Sequence, residues 1–188
     1  VTKRPFAEMS MAGPTPPILL TRPAGAGRET LREYEAAGGY AALRDARAGR
    51  LAPAALVAAV TDADLRGRGG ALFPAGRKWA LAAGAPGPEK WVVGNGGEHE
   101  PGSRKDRVLV ATRPHLVLEG MALCAHATGA SKGVLYLIED MADALASSEA
   151  AIAEGRAAGY LGTAFYVTIH RAPTTYVAGE ETAAIARE

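Results

Sequence analysis

The chain has 188 residues, is 48% hydrophobic and carries a formal net charge of +1. It is long enough to bury the core of one full domain, and it lacks the strong basic excess of a nucleic-acid binder. Its single cysteine, Cys124, excludes an internal disulfide framework and any cysteine-ligated cluster within the chain. No apolar run approaches the roughly 18 residues of a membrane span and no signal-peptide pattern opens the sequence, so a cytoplasmic protein without direct membrane insertion is expected.

In chain order, residues 1 to 28 are rich in proline and glycine and show no sustained periodicity, which reads as an extended arm occupying 1–30. Within it, Ile18-Leu19-Leu20 is a candidate short strand. Thr30 to Leu43 is helical in flavour and broken at Gly38-Gly39, and Pro53 to Val60 suits a helix with proline in its first turn. Asp62 then caps a short turn into a glycine-rich stretch. Trp91-Val92-Val93 reads as a short buried strand, Pro114 to Ala127 as a helix, and Gly133 to Ile138 as the clearest strand. Asp140 to Ala158 is an alanine-rich helix ending near Gly159, and Phe165 to His170 is an alternating strand rich in branched and aromatic residues. Strands separated by helices of this length call for parallel pairing, hence an α/β fold with a mostly parallel sheet flanked by helices. The start at Val1, and a last segment (Glu180 to Glu188) that opens a helix without a C-terminal cap, lead to the expectation of a fragment.

The chemistry concentrates between Leu65 and Trp79, where Gly67, Gly69, Gly70 and Gly76 stand among Arg68, Arg77 and Lys78 beside Phe73-Pro74. Glycine adopts positive φ and lets a ligand approach bare backbone, the cations suit phosphate, and Phe73 offers an apolar face. The mixture points to a nucleotide. It is neither the dinucleotide fingerprint, because a helical segment precedes it, nor a P-loop, because no Gly-Lys-Ser/Thr ends it. Taken alone, it also reads as a structural turn between two helices.

Ligands of open α/β sheets gather beyond the carboxyl ends of the strands. The first strand runs into Gly94-Asn95-Gly-Gly-Glu98-His99-Glu100-Pro101-Gly102, and the last toward Tyr176-Val-Ala-Gly179-Glu180-Glu181-Thr182. Carboxylates suit ribose hydroxyls, and an asparagine amide can both donate to and accept from a heteroaromatic edge. The competing readings are a solvated acidic turn for Glu98 and Glu100 and favourable helix N-terminal charges for Glu180 and Glu181. His99 has no partner at metal-ligand spacing, so no metal site is expected. His115, His126 and His170 read as packed or surface residues, and Cys124 as core.

Five motifs in order carry a resemblance: Leu65 to Trp79; Asn95-x-x-Glu98-x-Glu100-Pro-Gly-Ser-x-Lys-Asp-Arg107; Pro114-His-Leu-x-x-Glu119-Gly-Met121; Ala158-Gly-Tyr-Leu-Gly162; and Tyr176-x-x-Gly-Glu-Glu-Thr-Ala183. With the stretch from Tyr34 to Tyr40, they resemble the FMN- and NADH-binding flavoprotein subunit of respiratory complex I and its hydrogenase and formate dehydrogenase relatives. The resemblance implies a Rossmann-like flavin-binding domain over 31–188, truncated at its C-terminal end. It implies FMN and NAD(H) as cofactors, with hydride transfer achieved by positioning alone. Carried over by position, Gly67, Arg68, Gly69, Gly70, Gly76 and Lys78 would wrap the nucleotides and Phe73 would stack on a ring of NADH. Asn95 would bond the flavin edge, with Glu98 beside it, and Glu100 would position the nicotinamide. Tyr176 would line the pocket, and Gly179, Glu180 and Glu181 would hold the ribose.

The resemblance further implies a small [2Fe–2S] partner subunit, electron flow toward quinone, a position peripheral to the inner membrane through a complex, and a [4Fe–4S] cluster held by cysteines of a C-terminal region that this chain does not contain. Departures from the pattern are Leu72 at a usual glycine, Gly97 at a frequent aspartate, Ala75 at a common threonine, Leu81 at a frequent aromatic, Pro173-Thr174-Thr175 in place of Gly-Ala-Gly, and Ala178 at a common cysteine. They admit an alternative, a truncated non-catalytic nucleotide-binding or assembly module derived from the same family.

Overall fold

The computed structural model describes residues 18–22, 27–68, 70–87, 89–98, 100 and 102–173. The predicted site residues Gly69, Tyr176, Gly179, Glu180 and Glu181 lie outside them, as do His99 and Ala178.

Among the described residues, four helices precede the sheet: α1 (Leu31–Ala36), α2 (Ala41–Arg47), α3 (Pro53–Asp62) and α4 (Ala75–Gly84). Thr30 starts α1 with a complete capping box, its hydroxyl accepting from Glu33 N while the Glu33 carboxylate accepts from Thr30 N. Gly38 at φ +91° breaks the run, as expected, and a Cβ on Gly39 would fall 2.3 Å from the Tyr34 ring. Asp62 belongs to the last turn of α3, with Ala63 as C-cap, and so does not cap the following turn.

The sheet comprises β1 (Trp91–Gly96), β2 (Lys132–Ile138) and β3 (Tyr166–Ala172) in the order β1-β2-β3, with both pairings parallel. Between β1 and β2 run α5 (Lys105–Thr112) and α6 (Pro114–Thr128), and between β2 and β3 runs α7 (Ala142–Ala157). The axes of α5 and α6 meet at 98°. Pro114 forces that corner, because its ring removes a donor and drives Arg113 out of helical geometry. Helix α5 was not anticipated, since only Val108, Leu109 and Val110 mark it as apolar. Among the described residues no single helix is long and apolar enough to cross a membrane.

Helix α6 is the centre of the core, with Leu118, Met121, Ala122 and Ala125 packed among α1, α2, α7 and the sheet. A Cβ on Gly94 would lie 2.8 Å from Met121 Sδ, so the Gly94 face of β1 meets α6 directly. The other face of β1 is open: Trp91 is 50% and Val93 42% exposed. The expected buried strand is therefore an edge strand with one exposed face. Ile18-Leu19-Leu20 forms no strand, and all three side chains are exposed. Their backbone is used instead, with Arg113 Nη1 donating to Leu19 O at 3.0 Å. Cys124 is half-buried and not a core residue, and burial pushes its thiol up to about 11.

Candidate cofactor site

The glycine-rich stretch joins α3 to α4 as a closed loop. Arg66 and Pro74 form an antiparallel bridge, with Gly67 N donating to Phe73 O at 2.9 Å and Ala75 N to Leu65 O at 2.8 Å. Of the described residues between these tethers, Arg68, Gly70, Ala71 and Leu72 are exposed. Gly70 sits at φ +108°, and a Cβ there would meet nothing within 4 Å. Phe73 is 40% exposed, with the Arg77 guanidinium 5.8 Å from its ring centroid. Leu72 adopts φ +52° and is 56% exposed. The backbone thus keeps a left-handed conformation that glycine reaches without steric cost, while the leucine side chain points to solvent.

Gly76 has a packing role. A Cβ on it would lie 2.1 Å from Thr61 Oγ1 and 2.9 Å from Thr61 Cα, so its absence lets α4 cross α3 and closes the base of the loop. Lys78, on the exposed side of α4, lies near enough to α6 for its charge to act on the Cys124 thiol, a lesser influence than burial. Both α4 and β1 pack on α6, which is how the loop and the carboxyl end of β1 come to share one support.

At that end, Asn95 lies on the exposed face of β1. Its Oδ1 accepts from Gly97 N at 3.0 Å, which fixes the amide plane. Glu98 points inward, its side chain only 2% exposed. It accepts from Ser103 Oγ at 2.5 Å and from Asp106 N and Arg107 N at 3.2 Å, with Lys105 Nζ 3.7 Å away. Burial pushes this carboxyl up, and the three hydrogen bonds together with Lys105 outweigh that and hold it below the usual range. Glu98 therefore caps α5, and both its oxygens are engaged within the fold. Glu100 is exposed, and its carbonyl accepts from Ser103 N across a turn in which Gly102 has φ +83°.

A second polar cluster escaped the sequence reading as chemistry. The Glu119 carboxylate, buried on α6, accepts from Tyr34 Oη at 2.5 Å and from Tyr40 N at 2.8 Å, so it caps the start of α2. His115, fully buried, lies 2.9 Å from Glu154 and 3.1 Å from the Tyr40 hydroxyl. A carboxylate only accepts, so Nε2 carries the proton toward Glu154. Arg28 makes a two-pronged contact to the same carboxylate at 2.6 and 3.1 Å. This cluster staples residues 28–47 to α6 and α7. A glutamate inside an otherwise apolar helical run, as in Leu116-x-x-Glu119, is the sequence signal that would have revealed it.

Over residues 60–187 the chain matches the Nuo51 FMN-binding domain, the Complex1_51K family. It belongs to that family.

The chain is 41% identical over 174 residues to the F 2 subunit of NADH-quinone oxidoreductase from Rhizobium meliloti, covering 89% of this chain and 41% of the relative. It is 37% identical over 143 residues to the NAD-reducing hydrogenase HoxS subunit alpha of Cupriavidus necator, covering 72% of this chain and 24% of the relative. It superposes on the crystal structure of an air-oxidized NAD+-reducing [NiFe]-hydrogenase with a TM-score of 0.63 and 42% identity, covering 72% of this chain and 23% of that one. The chain thus spans well under half the length of these relatives. Its relatives are oxidoreductase subunits of NADH-quinone and NAD-reducing hydrogenase type.

The residues present fit the family's flavin. The loop offers a backbone unencumbered at Gly70, an exposed guanidinium at Arg68 and an apolar ring at Phe73, and Asn95 presents an oriented amide at the end of a parallel strand. Among the described residues no group of three metal-ligating side chains occurs.

Proposed function

We propose that this chain forms the FMN- and NADH-binding part of an NADH-oxidising flavoprotein subunit, in which hydride passes from NADH to FMN and electrons continue through iron–sulfur centres toward quinone. The observation that carries this reading is the tethered loop Gly67–Phe73 and the Asn95 amide, both mounted on α6 through α4 and β1. FMN supplies the hydride-accepting ring when bound. Residues 31–188 constitute the binding domain and 1–30 an arm that precedes it.

In this reading Gly67, Gly69, Gly70 and Arg68 hold phosphate through backbone N–H groups and charge, with Lys78 adding a cation from α4. Phe73 stacks on a nucleotide ring. Asn95 orients the flavin edge, Glu100 positions the nicotinamide, and Tyr176, Gly179, Glu180 and Glu181 complete the ribose pocket. None of them needs to move a proton, because hydride transfer between two stacked rings requires placement alone. Gly76 and Glu98 contribute indirectly, by setting the loop base and the α5 cap. A small [2Fe–2S] subunit is the direct partner, within a complex peripheral to the inner membrane.

One observation favours the alternative of a non-catalytic nucleotide-binding or assembly module. Leu72 places an exposed aliphatic side chain on the loop where the family pattern has none. The experiment that separates the two is reconstitution of the full-length protein with FMN, followed by NADH titration against ferricyanide. FMN-dependent turnover supports the flavoprotein reading, and nucleotide binding without turnover supports the module.

A further inference from the structure

Tyr136 lies in β2 with Asn95 of β1 and His170 of β3 as its register partners. In a parallel sheet such partners point to the same face, as Gly94 and Gly96 do toward Leu135 and Leu137. Asn95, Tyr136 and His170 therefore make one polar row across the carboxyl-terminal half of the sheet. The Tyr136 ring lies parallel to the His170 imidazole, with planes 3° apart and centroids 5.2 Å apart. Tyr136 is 1% exposed, and its hydroxyl has no hydrogen-bond partner among the described residues.

A buried hydroxyl without a partner is unfavourable, and phenylalanine would fill the same space without that cost. Unsatisfied buried groups are few in native folds, and a functional role is among their recognised causes. Here the group sits one strand in from Asn95, whose amide is exposed at the rim of the same row. The row lies where ligands of parallel sheets collect. A phenol O–H is a donor, and a flavin edge presents several nitrogen and oxygen acceptors.

We infer that the Tyr136 hydroxyl is a cofactor-positioning donor: when FMN binds, it donates a hydrogen bond to an acceptor on the flavin ring system, beside the Asn95 amide. This rests on the flavoprotein reading above. His170 supports the phenol ring by stacking against its face.

The test is Tyr136→Phe in the full-length protein, read by quenching of FMN fluorescence on binding and by thermal melting without added FMN. The expected result is FMN affinity weakened about tenfold, a shifted visible absorption of the bound flavin, and a melting temperature without FMN that is unchanged or higher. Unchanged FMN affinity overturns the assignment. So does a melting temperature without FMN several degrees lower, because it shows that the hydroxyl already has a partner inside the fold. A wild-type protein that retains no FMN overturns the flavoprotein reading together with it.

Discussion

Tyr40 and Tyr160 lie face to face, with ring centroids 3.9 Å apart and planes within 8°. One stands at the start of α2, in a left-handed conformation at φ 60°, and the other follows α7. Tyr160 Oη donates to Glu35 at 2.6 Å, Arg44 reaches the same oxygen at 2.7 Å, and Arg47 binds Tyr160 O at 2.5 Å. The stack closes the staple that Glu119, His115 and Glu154 begin. Three of the stretches that carry the family resemblance, at 34–40, 114–121 and 158–162, therefore meet in one packed and hydrogen-bonded staple.

Glu119 is the keystone of that staple. Glu119→Ala leaves the Tyr34 hydroxyl and Tyr40 N–H buried without an acceptor, and a destabilisation of about 3 kcal/mol is expected. Tyr34→Phe removes one of these bonds and costs less, about 1–2 kcal/mol. Denaturant unfolding of both variants checks the order, and equal losses would contradict it.

The staple also makes stability depend on pH. Glu154 is held at about 2, against 4.5 for a free glutamate, first by its hydrogen bond from Arg28, against the upward push of burial, and further by His115 and Leu31 N. A carboxyl whose folded value is depressed stabilises the fold when ionised. Its contribution is complete above about pH 4.5 and is lost as pH falls toward 2. The denaturation midpoint of wild type should fall more steeply over that window than that of Glu154→Gln, which has already lost the contribution. Parallel curves would refute the assignment.

Leu72 offers a test that separates backbone from side chain. At φ +52° a β-branched residue is more strained than leucine, and glycine is not strained at all. Leu72→Val is expected to cost about 1 kcal/mol, whereas Leu72→Gly is neutral or stabilising, since relief of strain offsets added freedom in the unfolded chain. Thermal melts rank the three. If the exposed leucine obstructs ligand approach, Leu72→Gly also tightens FMN binding.

Gly76 is expected to tolerate no side chain. Gly76→Ala drives a methyl against Thr61 and should cost about 1–3 kcal/mol. Thr61→Ala in the same chain removes the Oγ1 contact at 2.1 Å but leaves the Thr61 backbone atoms at 2.9 Å, so it restores only part of the loss. Full restoration would show that α3 and α4 separate easily.

The parallel α/β architecture was legible because β2 and β3 are apolar and aromatic runs of strand length, and α6 and α7 are long helix-forming runs between strands. Helix α5 was hidden because its first N–H groups are capped by Glu98, from outside the usual N-cap position, while the N-cap residue Arg104 makes no side-chain cap. The half-open character of β1 was equally hidden, since Trp91-Val92-Val93 is apolar throughout while only the Gly94 face meets α6. At the candidate site, the glycines and cations of the loop pointed to a nucleotide. They did not separate Gly70, which faces outward, from Gly76, which packs, nor did charge alone distinguish capping Glu98 from exposed Glu100. Gly76 is set apart by Thr61 on the preceding helix, and Glu98 by hydrogen bonds from groups five to nine residues further on, whose geometry residue types alone do not reveal.

The most direct test of the central claim is anaerobic NADH titration of the full-length protein after FMN reconstitution, followed by flavin absorbance. The account predicts that stoichiometric FMN is retained and that its visible absorption bleaches on NADH addition, with Asn95→Ala and Phe73→Ala each weakening the response. A protein that binds no FMN, or whose bound FMN stays oxidised in excess NADH, would contradict it.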